Sequence, residues 1–183
     1  SFAIADATAV AEGASLSFTI TRTGVTSSSH SVSYATANGT ATAGSDYIAI
    51  PTTALTFAAG ETSKTVTVAT VDDTIYENNE TVLVNLSSPT NGATISDSQG
   101  SGTINNNDAA PSFAIGDATA VAEGSALTFT VTRSGDTSGT NAVSYATANG
   151  TATSGSDYTA IAATVLTFTA GQTSKTVTVA TIN

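Results

Sequence analysis

A chain of 183 residues with 40% apolar side chains has material for two ordinary domains, and 14 acids against four bases leave it a net charge of −10. That balance disfavours nucleic acid and anionic membrane surfaces, both recognised through clustered Lys and Arg, and no apolar run approaches the roughly 20 residues that span a bilayer. Cysteine is absent, which removes disulfides, thiolate metal sites and thiol nucleophiles, and so is methionine; the chain is therefore expected to be a processed product or a piece of something longer.

In chain order, the first strong element is SLSFTIT, where Leu16, Phe18 and Ile20 alternate with Ser and Thr. Further strands are predicted at residues 32–36 and 54–57, and in KTVTVAT, where Val66 and Val68 alternate. After the acidic stretch VDDTIYENNE at residues 71–80 come TVLVNL, with Val82, Val84 and Leu86, and a last strand near residues 102–104. Turn signals at Thr23-Gly24, Asn38-Gly39, Ala59-Gly60 and Asn91-Gly92 separate them. About seven short, half-buried strands per repeat and no helical periodicity predict an all-β fold of antiparallel sandwiches.

SFAIADATAVAEG at residues 1–13 returns as SFAIGDATAVAEG at 112–124, and SYATANGTATAGSDY at 33–47 returns as SYATANGTATSGSDY at 144–158. With an offset of 111, residues 1–72 align without a gap on 112–183, and 52 of the 72 pairs are identical. Such a level points to duplication within a repeat array. The expected organisation is a complete repeat at 1–108, a short linker at 109–111 stiffened by Pro111, and a second repeat at 112–183. That second repeat has no counterpart of residues 73–111. Its sheets are expected to expose unpaired edges: either the rest of the repeat has been cut off or is not seen, or another chain completes it by strand donation to form a homopolymer.

Asp72, Asp73, Glu77 and Glu80 place four carboxylates in one loop. Their repulsion would be relieved most directly by a divalent cation. Ca²⁺ suits oxygen-only donors and irregular geometry, whereas transition metals would find no Cys and one imidazole, His30. A solvated acidic loop without an ion is the other reading. Counting strands brings the Glu12 turn, the Asn38-Gly39 turn, the acidic loop and the segment Asn106-Asn107-Asp108 to one end of the sandwich. Asp46 and Asp157, in the GSDY motifs, read as turn caps, and Tyr47 and Tyr158 as core or corner residues. Nothing repeats as a Ser-His-Asp set, a phosphate loop or a zinc imidazole set, so no enzyme is expected.

EG near the start, FTITRTG, YATANGTATAGSDY, LTFAAGETSKTVTV, VDDTIYENNETVLVNLSSP and GTINNND, in that order, resemble the Calx-beta domain over essentially all of residues 1–108; the second copy matches over its length. The resemblance implies a seven-stranded immunoglobulin-like sandwich with Ca²⁺ ligands at Glu12, Asp72, Asp73, Glu77, Glu80 and Asp108, and a contribution from Asn38. Asn38 stands where an Asp is usual, Thr74 replaces a third consecutive acid, and Asn106 and Asn107 stand where acids often occur, so fewer or weaker ions are expected. In the second copy only Glu123 and Asn149 remain of the set. The expectation is a structural Ca²⁺-binding repeat of a bacterial adhesin stalk or extracellular fibre, at the cell surface or secreted, in which the ion rigidifies the joint between neighbouring repeats. A Ca²⁺-responsive sensor is the alternative. A carbohydrate-binding module is less well served, with 6% aromatics and no Trp.

Overall fold

Alternation becomes burial in Ser15–Arg22 (β3 in chain order), where Leu16, Phe18 and Ile20 are fully buried while the intervening Ser and Thr face solvent. The computed structural model describes residues 1–183 and contains no helix. It divides into two compact units, Ser1–Asp73 with Glu77–Asn107, and Thr74–Tyr76 with Asp108–Asn183.

The first unit adds β1 (Phe2–Ile4), β2 (Val10–Ala11), β4 (His30–Asn38), β5 (Thr53–Phe57), β6 (Ser63–Ala69), β7 (Glu80–Ser87), β8 (Ile95–Asp97) and β9 (Gln99–Asn105). They form a four-stranded sheet in the order β6-β3-β1-β8 and a five-stranded sheet in the order β2-β9-β7-β4-β5. Phe2, Leu16, Phe18 and Val68 from one sheet meet Val32, Phe57, Val82 and Val84 from the other in a single core. Nine strands replace the predicted seven. The six strands placed individually in the sequence are all present, and the three not placed are the short β1, β2 and β8, of three, two and three residues, too short to show a period of two. β1 and β2 belong to different sheets and pair in parallel with β8 and β9, so the chain crosses between layers at residues 5–9.

Asn38-Gly39 is not the tight hairpin turn its sequence suggests. Gly39 has no positive φ; its missing side chain is what matters, because a Cβ there would lie 2.4 Å from the Thr81 carbonyl oxygen on β7.

The second unit contains β10 (Ser112–Ile115), β11 (Ala126–Ser134), β12 (Asn141–Tyr145), β13 (Thr164–Phe168) and β14 (Ser174–Ala180). They form a three-stranded sheet, β10-β11-β14, and a two-stranded one, β12-β13. SYATAN occurs in both units, yet β4 runs through to Asn38 whereas β12 stops at Tyr145. Residues 33–38 of β4 are paired with β7, and the second unit has no such strand. A partner strand, not local propensity, decides whether this sequence is paired into a sheet.

Each unit also buries an arginine. Arg22 is 3% exposed, and its guanidinium donates to the carbonyls of Ser28 (3.0 Å), Thr26 (3.1 Å), Ala58 (3.1 Å) and Phe57 (3.4 Å), while lying 5.8 Å from the Phe57 ring centre. Arg133 repeats this with Gly139, Thr137, Thr169 and the Asn141 side chain, over Phe168. The planar fork, with five donors, suits several carbonyls at once.

Candidate metal centre

The acidic end of the first unit is assembled by backbone bonds between loops distant in sequence. Glu12 N–H donates to the Asn105 carbonyl at 3.2 Å, Val71 N–H to the Asp46 carbonyl at 2.9 Å, and Thr70 N–H to the Ala14 carbonyl at 2.9 Å. Gly13 takes a φ of +75°, and a Cβ on it would stand 3.0 Å from Cβ of Asp72. Both the turn and the close approach of the two loops therefore favour glycine. The closing segment is tied in through its amides: Glu77 N–H donates to the Asn106 side-chain oxygen at 3.1 Å and Asn106 N–H to that of Asn79 at 3.1 Å.

Within this unit Asp46, Glu77 and Glu80 form a carboxylate triad with candidate ligand oxygens within 4.8 Å of one another, and Glu12 and Asp73 bring a further pair of carboxylates equally close. Glu12, Asp46, Asp73, Glu77 and Glu80 line a common cavity of about 10 Å³, floored by Val71 and Ile104. That is about the space of one water-sized sphere.

The electrostatics register the crowding. Burial, a hydrogen bond with Asp46, and the negative charges of Asp46, Glu77 and Glu12 push Glu80 up to about 7. Asp46 moves the other way: burial raises it, but hydrogen bonds from the Thr42 backbone, Ser45 and Glu80 outweigh that and hold it below the usual carboxylate range. Near neutrality the pair therefore shares a proton, with Glu80 as donor. The donor set fits a hard divalent cation, being all oxygen and strongly anionic, and such an ion would take over the neutralising role of that proton. Imidazole is not on offer, since His30 Nδ1 lies 3.1 Å from the Ser28 carbonyl, in the loop held by Arg22.

Of the residues singled out in the sequence, Glu77 and Glu80 join the triad and Glu12 and Asp73 form the pair, while Asp108 belongs to the second unit. Asp72 is outside both; it is exposed and accepts from the Asn107 amide at 2.9 Å. Asn38 is engaged in structure. Its side-chain oxygen accepts from Ala43 N–H at 3.0 Å and from the Tyr47 hydroxyl at 2.7 Å, and Tyr47 is 1% exposed within the core. Asp46 does cap its turn, accepting from Thr42 N–H at 2.6 Å, but sequence reasoning stopped there and missed its second face toward Glu80.

A family model described as the Calx-beta domain matches the chain twice, over residues 5–110 and 106–183. Among solved structures, the crystal structure of CBD12 from CALX1.2 is 27% identical, with 96% of this chain and 71% of that chain covered and a TM-score of 0.53. The crystal structure of calcium binding domain CBD12 of CALX1.1 is 25% identical over all of this chain and 76% of that one, with a TM-score of 0.56. The apo-form Calx CBD1 domain, at 23% identity and a TM-score of 0.54, shares the fold over 58% of this chain and 98% of its own. None of the curated proteins matches the chain in sequence.

Proposed function

Because the chain belongs to the Calx-beta domain family, as two adjacent copies, we propose that its first unit is a structural Ca²⁺-binding module of an extracellular or surface-displayed repeat protein, acting by binding and not by catalysis. The observation that carries this reading is the set of carboxylates of Glu12, Asp46, Asp73, Glu77 and Glu80 on one small cavity, with Glu80 raised to about 7 by its neighbours. The similarity to the CALX1.1 structure, described as a calcium binding domain, supports the same ion.

Glu12, Asp73 and Asp108 would hold one ion, and Asp46, Glu77 and Glu80 would share it or hold a second. Bound Ca²⁺ supplies positive charge against which the loops can close. The residues do the rest. Asp73, Glu77 and Glu80 fix the loop between β6 and β7, Glu12 fixes the crossing between sheets, and Asp108 fixes the chain three residues before Pro111. Restraining Asp108 removes freedom from the short joint that follows, the property wanted of a stalk or fibre. Low charge content, a Ser- and Thr-rich exterior and near-identical repeats support a spacer in such an array.

The test is a calorimetric Ca²⁺ titration with thermal melting in Ca²⁺ or chelator, on the native chain and on Asp73→Asn with Glu77→Gln. Binding that raises Tm in the native chain and is lost in the double variant is expected. Heat-silent titration together with an unchanged Tm would overturn the reading.

A further inference from the structure

We propose that Asp46 is the residue through which the turn at 38–47 binds the cation, and that Asn38 and Tyr47 are positioning residues that hold the turn for it. The proposal rests on the first unit binding Ca²⁺ and names which side chain of this turn reaches the ion. Position 38, the ligand expected from the sequence, does not line the acidic cavity; Ser45 and Asp46 do, beside Glu12, Asp73, Glu77 and Glu80. A carboxylate oxygen of Asp46 lies within 4.8 Å of oxygens of both Glu77 and Glu80. The Asn38 side-chain oxygen is engaged inside the turn, by Ala43 N–H at 3.0 Å and the Tyr47 hydroxyl at 2.7 Å. A neutral amide oxygen that already accepts two hydrogen bonds is a poor donor to a hard cation, and an anionic carboxylate is a good one.

Local bonds aim Asp46. Its Oδ2 accepts from Thr42 N–H at 2.6 Å, its own N–H donates to the Thr42 carbonyl at 3.0 Å, and the Ser45 hydroxyl donates to that carbonyl at 3.2 Å. Its carbonyl accepts from Val71 N–H at 2.9 Å, which fixes the turn against the start of the loop carrying Asp73, Glu77 and Glu80. Next in the chain, Tyr47 is 1% exposed and anchors the turn in the core, while its hydroxyl reaches back to Asn38. The arrangement belongs to the turn itself, because the second unit repeats it at 149–158. There Thr153 N–H donates to Asp157 Oδ2 at 2.6 Å, and the Asn149 oxygen accepts from Ser154 N–H at 2.9 Å and the Tyr158 hydroxyl at 2.8 Å. Asp46 is thus held in place by its own turn, and a ligand already in place costs less ordering on binding.

The experiment is a calorimetric Ca²⁺ titration of the 183-residue chain and of Asp46→Asn, Asn38→Asp, Tyr47→Phe and the double variant Asp46→Asn with Tyr47→Phe, each also melted in chelator. Asp46→Asn still offers Thr42 N–H an acceptor, so it is expected to melt within about 3 °C of the native chain in chelator and yet to bind Ca²⁺ at least about tenfold more weakly. Asn38→Asp is expected to tighten binding by less than about fivefold, its oxygen being held by the same two donors. This variant keeps every acceptor and decides between the two positions whatever the folding of Asp46→Asn. Tyr47→Phe is expected to weaken binding at least about threefold alone but less than about 1.5-fold on top of Asp46→Asn, a coupling that a merely structural hydroxyl would not show. Unchanged affinity in Asp46→Asn, tightening of about tenfold or more in Asn38→Asp, or an equal effect of Tyr47→Phe in both backgrounds overturns the proposal and leaves Ca²⁺ binding standing. A native chain that gives no heat and no Ca²⁺-dependent rise in Tm overturns both.

Discussion

Replacing Arg22 by methionine keeps the unbranched stem and removes every donor. Three carbonyls, of Ser28, Thr26 and Ala58, lie within 3.1 Å of the guanidinium and would lose their partner, while Phe57 at 3.4 Å is a weaker contact. At about 1 kcal/mol net for each of the three, after allowing for water reaching the outer ones and for the relieved desolvation of a buried charge, the first unit should lose about 3 kcal/mol. Arg22→Lys retains charge but gathers its donors at one point, so it should fall between the two. The assay is urea unfolding in chelator, followed by circular dichroism. With a slope of about 1.5–2 kcal/mol/M, the methionine variant should shift the midpoint of the first unit's transition by about 1.5–2 M at unchanged slope. Arg133→Met should do the same to the second unit. A shift below about 0.3 M, or lysine equal to arginine, would refute the idea that a fork of donors to carbonyls holds these loops.

Glu80 sets a pH dependence. Its folded value of about 7 lies above the ordinary 4.5, so the folded chain keeps a proton that the unfolded chain has released across that window. Stability in chelator should therefore fall as pH rises from 4.5 to 7, and Glu80→Gln should flatten this slope while weakening Ca²⁺ binding; melting temperatures across pH check it. Asp46, held low, contributes instead at the acid end, its stabilisation being lost as pH falls below the ordinary 3.8. Gly39→Ala, which would drive a methyl into Thr81, should cost about 2 kcal/mol and lower Tm of its unit by about 10 °C. Gly150→Ala, with open space around it, should stay within about 0.5 kcal/mol by the same melting assay.

The long strands were legible because alternation alone determines which face of β3, β6 and β7 turns inward. β1 and β2 were not, since β1 becomes a strand by lying between β3 and β8, and β2 by lying beside β9, more than ninety positions later in the chain. Strand propensity also overreached: residues 144–149 read as identical to 33–38, and only the partner separates them. At the site, crowding of like charge singled out the loop at 71–80, and the structure brings Glu77 and Glu80 of that loop together with Asp46. It left Asp72 indistinguishable from Asp73, because the direction of each side chain depends on how the loop leaves β6. The diversion of Asn38 toward the Tyr47 hydroxyl, nine residues on, belongs to packing and has no signature in spacing.

Formal charge understates how anionic these repeats look from outside. Arg22 and Arg133 are turned inward onto carbonyls, Lys64 is paired with Glu61 at 3.0 Å and leans over Phe57, and Lys175 leans over Phe168. All four cations thus serve the fold, leaving the acids largely unopposed toward solvent. Neighbouring strings of such units would carry a shared counter-ion atmosphere and hold one another apart, as bristles do in a polyelectrolyte brush, with a spacing that tightens as salt is raised.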